Sequence, residues 1–339
     1  MLTSLAFIFL VGLAAAALCQ RLHLPRIIGM LATGILLGPY ALNLLDDSIL
    51  SVSGDLRQMA LIIILLKAGL SLNLADLKKV GRPAVMMACV PASFEILAFV
   101  LFAPMLLGVN RVEAAVMGAV LAAVSPAVVV PRMVHLMETG YGTDKSIPQL
   151  IMAGASCDDI FVIVLFSTFA GMAQGGSVQL SSFASIPVSI GLGVLLGAAV
   201  GWALSAFFEA AHARRRCVRN STKVVILLGT AFLLMAVETW AKPVVPVSGL
   251  LAVVSMACVL KLKSVAFVSK RLSEKFGKLW IAAEVILFVL VGAAVDIRYT
   301  LGAGLAAVAM ILAALCFRSV GVLLCVTATP CAGRSGCSA

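Results

Sequence analysis

Charged residues are scarce in this 339-residue chain. Asp, Glu, Lys and Arg make up 12% of it and apolar residues 62%, whereas soluble domains have about 25% charged residues. So few charges exclude a water-soluble globular domain of ordinary composition. The charge that remains is unbalanced, since 25 basic and 15 acidic residues give a net charge of +10. The composition predicts a polytopic, all-α membrane protein.

Motifs for metal, nucleotide and redox chemistry are also absent. The nine cysteines are scattered without a C-x-x-C pair, and the three histidines lie in or near loops, so no disulfide or metal framework is indicated. No Walker A sequence occurs, which excludes an ATP-driven engine within this sequence. The basic residues stand in short loops between apolar runs, which is not a nucleic-acid footprint. We expect no cofactor, no enzymatic reaction and no nucleic-acid partner.

Long apolar runs take the place of these motifs. Eleven runs of about 17–27 residues are long enough to cross a bilayer as α-helices. The first has no basic segment before it, so we expect it to remain as a helix and not to be removed as a signal peptide. The predicted spans are residues 3–19, 27–45, 57–73, 83–107, 112–137, 147–172, 186–209, 223–239, 246–262, 279–296 and 301–326.

The basic residues indicate the orientation of the chain. Eighteen lie in or beside the odd-numbered loops between the spans, and four lie in the even-numbered loops: Arg57, Arg111, Lys242 and Arg298. Because cytoplasmic loops carry the excess of Lys and Arg, the N-terminus is expected outside and the odd-numbered loops in the cytoplasm. The expected location is the plasma membrane, crossed many times, with membrane lipid around the helices.

Two adjacent carboxylates interrupt the sixth span. Asp158 and Asp159 stand near its middle, where a charge costs roughly 2.5–3.5 kcal/mol to insert and usually marks an ion or proton pathway. Neighbouring helical residues point about 100° apart, so one carboxylate is expected to face a cavity and titrate while a cation holds the other. Arg318, in the eleventh span, is the candidate partner, with snorkelling to the interface as the alternative.

Two prolines mark the fifth span. Pro126 and Pro131 each remove a backbone donor, and the β-branched residues between them favour extended backbone. The sequence therefore predicts an unwound helix, of the kind that exposes carbonyls at the ion sites of secondary transporters. A kinked packing helix is the alternative. Ser125, directly before the first proline, offers a further oxygen ligand for a small hard cation.

A few other features lie within the spans. Glu95 is in the middle of the fourth span and Glu284 near the start of the tenth, and both are candidate supporting charges. Lys67, near the end of the third span, is expected to snorkel to the interface. Small residues at four-residue spacing in the seventh span predict close helix packing: Gly193, Gly197 and Gly201.

Several segments together resemble a known family. Residues 123–131 (Ala-Val-Ser-Pro-Ala-Val-Val-Val-Pro), 140–142 (Gly-Tyr-Gly) and 154–160 (Gly-Ala-Ser-Cys-Asp-Asp-Ile) closely resemble NHA-type sodium/proton antiporters. These belong to the electrogenic branch of the monovalent cation/proton antiporter superfamily. Residues 62–70 and 287–293 also fit. The similarity extends from about residue 20 to about residue 325, and the proline-flanked string with the Asp pair is its most specific part.

The resemblance implies a fold and a site. The fold would have thirteen or fourteen helices, with a dimerisation domain and a six-helix core of two inverted repeats that contain broken helices. Asp159 would bind the transported Na⁺ or H⁺. Asp158 would be salt-bridged to Arg318, and Glu95 would belong to a second polar pair. The protein is accordingly expected to form a homodimer.

Two departures from the family pattern stand out. Cys157 occupies a position where the family usually has a larger apolar residue, which we expect to be tolerated. The family continues past Arg318 with two more core helices, one of them broken and carrying a Lys that would neutralise Glu95. Here the composition of residues 327–339 is aberrant. The second core repeat is therefore expected to be truncated, which would leave Glu95 without its partner.

The expected domain organisation follows from the resemblance. It comprises N-terminal helices mainly on the dimerisation side (1–82), the first core repeat (83–172) and scaffold and dimerisation-side helices (173–278). A linker helix with the first helix of the second core repeat (279–326) and the aberrant tail (327–339) complete the chain.

The expected function is secondary antiport of Na⁺ or Li⁺ against H⁺ by alternating access. Asp159 would hold either a proton or the cation and never both, with Ser125 and freed carbonyls around Pro126 completing the cation shell. Transport should increase as pH rises, because protons occupy the carboxylate at low pH. The alternatives are a potassium/proton exchanger or channel, an organic-anion symporter that uses Arg318, and an inactive truncated fragment.

Overall fold

Thirteen α-helices account for the part of the chain that the computed structural model describes, residues 1–71, 81–124, 126–142, 147–173, 181–213, 218–241, 245–264 and 266–327. Within these ranges no β-strand occurs, so the fold is all-α, as predicted. The helices are α1 (Leu2–Arg21), α2 (Arg26–Leu37), α3 (Asp47–Ser51), α4 (Ser53–Ser71), α5 (Gly81–Leu107), α6 (Arg111–Ala122), α7 (Pro126–Thr139), α8 (Ile147–Ala173), α9 (Ser181–Ala213), α10 (Asn220–Ala241), α11 (Gly249–Lys263), α12 (Ala266–Ala293) and α13 (Ile297–Thr327).

The helices follow the predicted spans, with α3 as a short addition and the fifth span divided between α6 and α7. The second span is shorter than predicted, because backbone at Gly38 becomes extended (φ −69°, ψ 173°) and ends α2 at Leu37. The chain then folds back, so that the N–H groups of Leu44 and Leu45 donate to the carbonyl of Leu37. Six of the described helices are long and apolar enough to cross a membrane by length and composition.

Local capping explains where two helices begin. Asn110 accepts the N–H of Glu113, and the Glu113 carboxylate accepts the N–H of Asn110, which is a capping box at the start of α6. Ser248 caps α11 by accepting the N–H of Leu251. Both caps satisfy amides that have no partner inside the helix, so each helix can begin at a defined residue.

The helices form two bundles. The scaffold bundle comprises α1–α4 and α9–α12. In it, α12 packs against α1, α2 and α4, and α11 packs against α4 and α9. The site bundle comprises α5, α6, α8 and α13. In it, α13 packs against α5, and α5, α6 and α8 pack against one another. Helix α7 lies between the two bundles, in contact with α4 and α8.

Small residues let the scaffold helices approach closely. A Cβ at Gly193 would lie 2.6 Å from the carbonyl oxygen of Ser248, and a Cβ at Gly197 would collide with the backbone of Ala252. Helices α9 and α11 are therefore in backbone contact, as the small-residue spacing predicts.

Candidate functional site

A break in the backbone separates α6 from α7. Helix α6 ends at Ala122, Ala123 is extended (φ −63°, ψ 121°), and α7 begins at Pro126. The sequence predicts unwinding between the two prolines, but residues 126–131 are helical and Pro131 lies inside α7. Pro126 fits the first helical position, where no N–H is needed. The β-branched run stays helical because Val130 is fully buried in the apolar core.

Asp158 lies on α8 directly beside this break. Only 3% of its side chain is exposed. Its Oδ2 accepts the backbone N–H of Val124, at a distance of 2.9 Å. Its Oδ1 is buried and, among the described residues, has no hydrogen-bond partner. A buried carboxylate oxygen without a donor is costly, so this atom is positioned to bind a proton or a cation.

Arg318 of α13 connects three parts of the site bundle. Its Nη1 contacts Oε2 of Glu95 on α5 and donates to the carbonyl of Ala122, at 2.9 Å, at the end of α6. Its Nη2 lies 3.8 Å from Oδ2 of Asp158. The side chain is 21% exposed, and its contacts point into the bundle, so Arg318 does not snorkel towards the interface.

The pairing differs from the expectation in one respect. The resemblance assigns Arg318 to Asp158, and the expected truncation of the second repeat leaves Glu95 without a partner. The structure instead places Arg318 in direct contact with Glu95 and at a longer distance from Asp158. The physical reason is the reach of the guanidinium group, whose donors can satisfy a carboxylate and a carbonyl at once. Glu95 is therefore compensated, and Asp158 keeps one oxygen available.

A small cavity adjoins this charge cluster. It has a volume of about 120 Å³ and is lined by side chains or backbone that include Pro91, Val124, Gly154, Asp158 and Arg318. One guanidinium and two carboxylates leave a net charge of −1 on the described trio when all three are ionised. A water molecule takes about 30 Å³ in the liquid, so the cavity has room for a cation with a few waters. Its charge and size suit one monovalent cation or one proton.

The other predicted site residues fall into two groups. Ser125 and the side chain of Asp159 lie outside the described residues, although the backbone of Asp159 is part of α8. Glu284 is on α12, in the scaffold bundle, where the charges of Arg26 and Lys67 act on it. Glu284 thus lies on a helix of the scaffold bundle, apart from the contacts of Asp158, Glu95 and Arg318.

Sequence reasoning missed the two backbone groups that complete the site. The carbonyl of Ala122 and the N–H of Val124 each bond to a charged side chain. Residue identity carries no information about such groups, because every residue except proline has both. Pro126 was the available signal, since a proline that starts a helix implies free backbone groups just before it.

Comparison with known proteins agrees with this architecture. The family described as "Sodium/hydrogen exchanger, transmembrane" matches residues 5–335. Sodium/hydrogen exchanger 9B2 of Mus musculus is 34% identical over 278 residues, which are 81% of this chain and 49% of the mouse protein. Sodium/hydrogen exchanger 9B1 of Homo sapiens is 38% identical over 149 residues, 43% of this chain and 29% of the human protein. The chain spans about half the length of the 9B2 relatives that it matches.

A solved structure shares the fold. The sodium proton antiporter MjNhaP1 from Methanocaldococcus jannaschii, determined at pH 8, superimposes with a TM-score of 0.70 at 22% sequence identity, covering 96% of this chain and 78% of that one. The all-helical architecture of the described residues thus matches the fold of a known antiporter. The chain belongs to the sodium/hydrogen exchanger family, as an NHA-type member, and is a multi-pass membrane protein of a transporter family and not an enzyme.

Proposed function

We propose that the protein exchanges Na⁺ or Li⁺ for H⁺ across a membrane, using the Asp158–Asp159 pair as its binding site. The observation that carries this proposal is the buried, unpartnered Oδ1 of Asp158 beside a cavity of about 120 Å³. The net charge of −1 on the described trio leaves one positive charge to be supplied from solution. The names of the 9B2 and 9B1 relatives support the choice of ions.

Competition for the carboxylate pair gives the exchange. A proton and a cation cannot both occupy the same oxygen, so release of one permits binding of the other. Asp159 is proposed as the principal ligand, and Asp158 Oδ1 as a second oxygen beside it. Ser125 and backbone carbonyls at the break would complete a shell of oxygens, the ligands that small hard cations prefer. Transport is expected to increase with pH, because proton occupancy falls.

Alternating access would be a movement of the site bundle against the scaffold bundle. The scaffold holds its helices through glycine contacts, and the site bundle holds its own through charges and backbone bonds. We assign residues 83–172 and α13 to the moving core and residues 1–82 and 173–278 to the scaffold and dimerisation side, and the linker helix expected at the start of residues 279–326 packs with the scaffold as the end of α12. Single-molecule distance measurements between the bundles, with and without Na⁺, would test this. The same distance between the bundles with and without Na⁺ would contradict this movement.

The environment of the protein is also proposed. We place it in the plasma membrane as a homodimer in contact with lipid, with its N-terminus outside. The excess of basic residues in odd-numbered loops supports this orientation. An epitope at the N-terminus that antibodies reach only after permeabilisation would contradict it, and a monomeric mass in detergent and in nanodiscs would contradict the dimer.

The exchange itself is tested in proteoliposomes that contain the purified full chain. A Na⁺ gradient should drive a pH change in wild type, Asp159→Asn should abolish it, and Asp158→Asn should reduce it strongly. Glu209→Gln is the matched control, because Glu209 is an exposed carboxylate on α9, outside the site. A wild-type pH response with Asn at position 159 would refute the assignment. A response to K⁺ equal to that to Na⁺ would favour a potassium/proton exchanger.

A further inference from the structure

The break between α6 and α7 leaves backbone groups that the helices cannot satisfy. The last carbonyls of α6 have no intrahelical donors, and a polar group left unpaired inside a membrane costs several kcal/mol. Two of the groups at this break are bonded by side chains of the ion site. Arg318 donates to the carbonyl of Ala122, and Asp158 accepts the N–H of Val124, each at 2.9 Å.

We propose that the backbone N–H of Val124 is a positioning group of the ion site, which holds Oδ2 of Asp158, leaves Oδ1 to the ligand, and couples the occupancy of Asp158 to the position of the helix break. The proposal rests on the proposed function, since it concerns the same carboxylate. The role is assigned to the backbone amide because its N–H lies 2.9 Å from Oδ2, whereas Nη2 of Arg318 lies at the longer distance of 3.8 Å.

The orientation of the carboxylate follows from this one bond. A carboxyl group can rotate about its Cβ–Cγ axis, and a charge-assisted hydrogen bond of ordinary length fixes that rotation. With Oδ2 bound to the amide, Oδ1 is the oxygen that remains without a described donor. Val124 and Asp158 both line the cavity, so the amide, the carboxylate and the cavity are contiguous.

The coupling follows from how a carboxylate shares its charge. Binding of a proton or cation at Oδ1 withdraws charge from Oδ2 and so weakens its bond to the Val124 N–H. By reciprocity, any movement of the break that removes the N–H must change the affinity of Asp158 for its ligand by the same factor. Binding and release of a ligand at Asp158 therefore change how firmly Val124 is held between the end of α6 and the start of α7.

The other charged groups around Asp158 do not supply this coupling. Among the described residues, Arg318 acts on Asp158 from α13 and Glu95 acts on it from α5, while the neutral Cys89 thiol of α5 is itself acted on by Asp158. Arg318 is in direct contact with Glu95, so that pair can stay together whether Asp158 is loaded or not. The bond that changes directly with the occupancy of Asp158 is the one to Val124.

The test replaces the Val124 N–H by an ester oxygen in the full chain, using nonsense suppression with the α-hydroxy analogue of valine. The control is the same replacement at Val120 of α6, a residue that is 58% exposed and whose amide lies within the helix. Na⁺ binding is read from the thermal stabilisation of the purified protein, over a range of pH. We expect the ester at 124 to raise the Na⁺ affinity measured at high pH, where protons no longer compete, by about tenfold, because the lost charge-assisted hydrogen bond had opposed binding at the same carboxylate. It should also move the pH profile of binding upward, because the ionised carboxylate is less stabilised, and the ester at 120 should do neither.

The outcomes separate this inference from the proposed function. If Na⁺ and Li⁺ stabilise wild type at no pH, the exchange proposal fails. If they stabilise wild type, but the esters at 124 and 120 behave alike, the exchange proposal stands and the role of the amide is wrong. Hydrogen exchange in wild type provides a measurement free of folding defects. The peptide containing Val124 should exchange faster in saturating Na⁺ than in its absence, relative to a peptide from the middle of α6, and an unchanged or slower rate would overturn the coupling.

Discussion

The scaffold bundle and the site bundle are held together by different forces. One continuous apolar cluster runs through the scaffold, including the buried Ile62–Leu66 segment of α4 and Val253 of α11, and it extends into α7 and to Met152 of α8. The site bundle has two separate clusters of six buried residues each, and it also contains the ionic contacts among Glu95, Asp158 and Arg318. A close-packed core resists rearrangement, whereas charges and backbone bonds can exchange partners. This difference supports the proposal that the scaffold bundle stays fixed while the site bundle moves.

The strongest way to break this contrast is to remove Arg318. Arg318→Ala leaves Glu95 and Asp158 without their cation, and breaking one side of a buried ion pair typically costs about 3–5 kcal/mol. Thermal unfolding of the purified protein should show a loss of this order, together with loss of Na⁺-driven pH change. Arg318→Lys should recover part of the stability, because it restores the charge without the guanidinium fork.

Double-mutant cycles sharpen the same prediction. Combining Arg318→Ala with Glu95→Gln should give a larger coupling energy than combining it with Asp158→Asn, because Arg318 contacts Glu95 and lies 3.8 Å from Asp158. Equal couplings, or a larger one for Asp158, would restore the pairing that the family resemblance implies.

The stability of the scaffold bundle should depend on side-chain volume at its helix contacts and not on charge. Gly197→Ala would place a Cβ in the backbone of Ala252, and such overpacking typically costs about 1–3 kcal/mol. Gly229→Ala in α10 is the matched control, because nothing lies within 4 Å of its added Cβ. That change should stabilise the protein by up to about 1 kcal/mol, since Ala favours a helix. Thermal unfolding distinguishes the two, and equal effects would mean that α9 and α11 are not in backbone contact.

Substitution of a third glycine measures the stability cost of backbone strain without a steric clash. Gly304 in α13 has φ 56° and ψ −151°, which L residues rarely adopt, and nothing lies within 4 Å of its added Cβ. Gly304→Ala should therefore cost about 1–2 kcal/mol through strain alone. It should also change the apparent Na⁺ affinity, because the kink sets the direction of the helix that carries Arg318. A gain in stability, as expected for Gly229→Ala, would show that α13 can straighten without cost.

Much of the fold could be predicted from the sequence, because lipid restricts the chain to helices of a narrow length range. The apolar runs and the presence of a break in the fifth span therefore have direct signals in residue identity, although the break lies before Pro126 and not between the two prolines. The end of α2 at Leu37 could not be located, since residues 38–45 are apolar enough to extend a span but fold back on themselves. The five-residue helix α3 is too short to produce a periodic signal.

The site was predictable by residue type but not by partner. Asp158, Glu95 and Arg318 stood out because charges are rare in apolar spans. Which carboxylate pairs with the Arg318 guanidinium depends on how α5, α8 and α13 pack. Sequence spacing gives no guide to this, because Glu95 and Arg318 are 223 residues apart. The contributions of Ala122 and Val124 come from backbone atoms at a break, so only the three-dimensional structure could reveal them.

The smallest effect is expected at the exposed edge of the scaffold, outside both cores. Asp46 caps α3 by accepting the N–H of Ser48 at 2.9 Å, and its carboxylate lies 3.2 Å from the N-terminal ammonium of Met1. The hydrogen bonds from Ser48, followed by the ammonium, lower the pKa of Asp46 to about 2. The folded protein thus binds this proton more weakly than the unfolded chain, so the contribution to stability is complete above about pH 4 and is lost as pH falls towards 2. Asp46→Asn keeps an acceptor for the cap but cannot titrate, so its unfolding temperature should change little at neutral pH and fall less steeply than that of wild type below pH 4. Parallel curves would show that the carboxylate does not stabilise the scaffold edge through its charge.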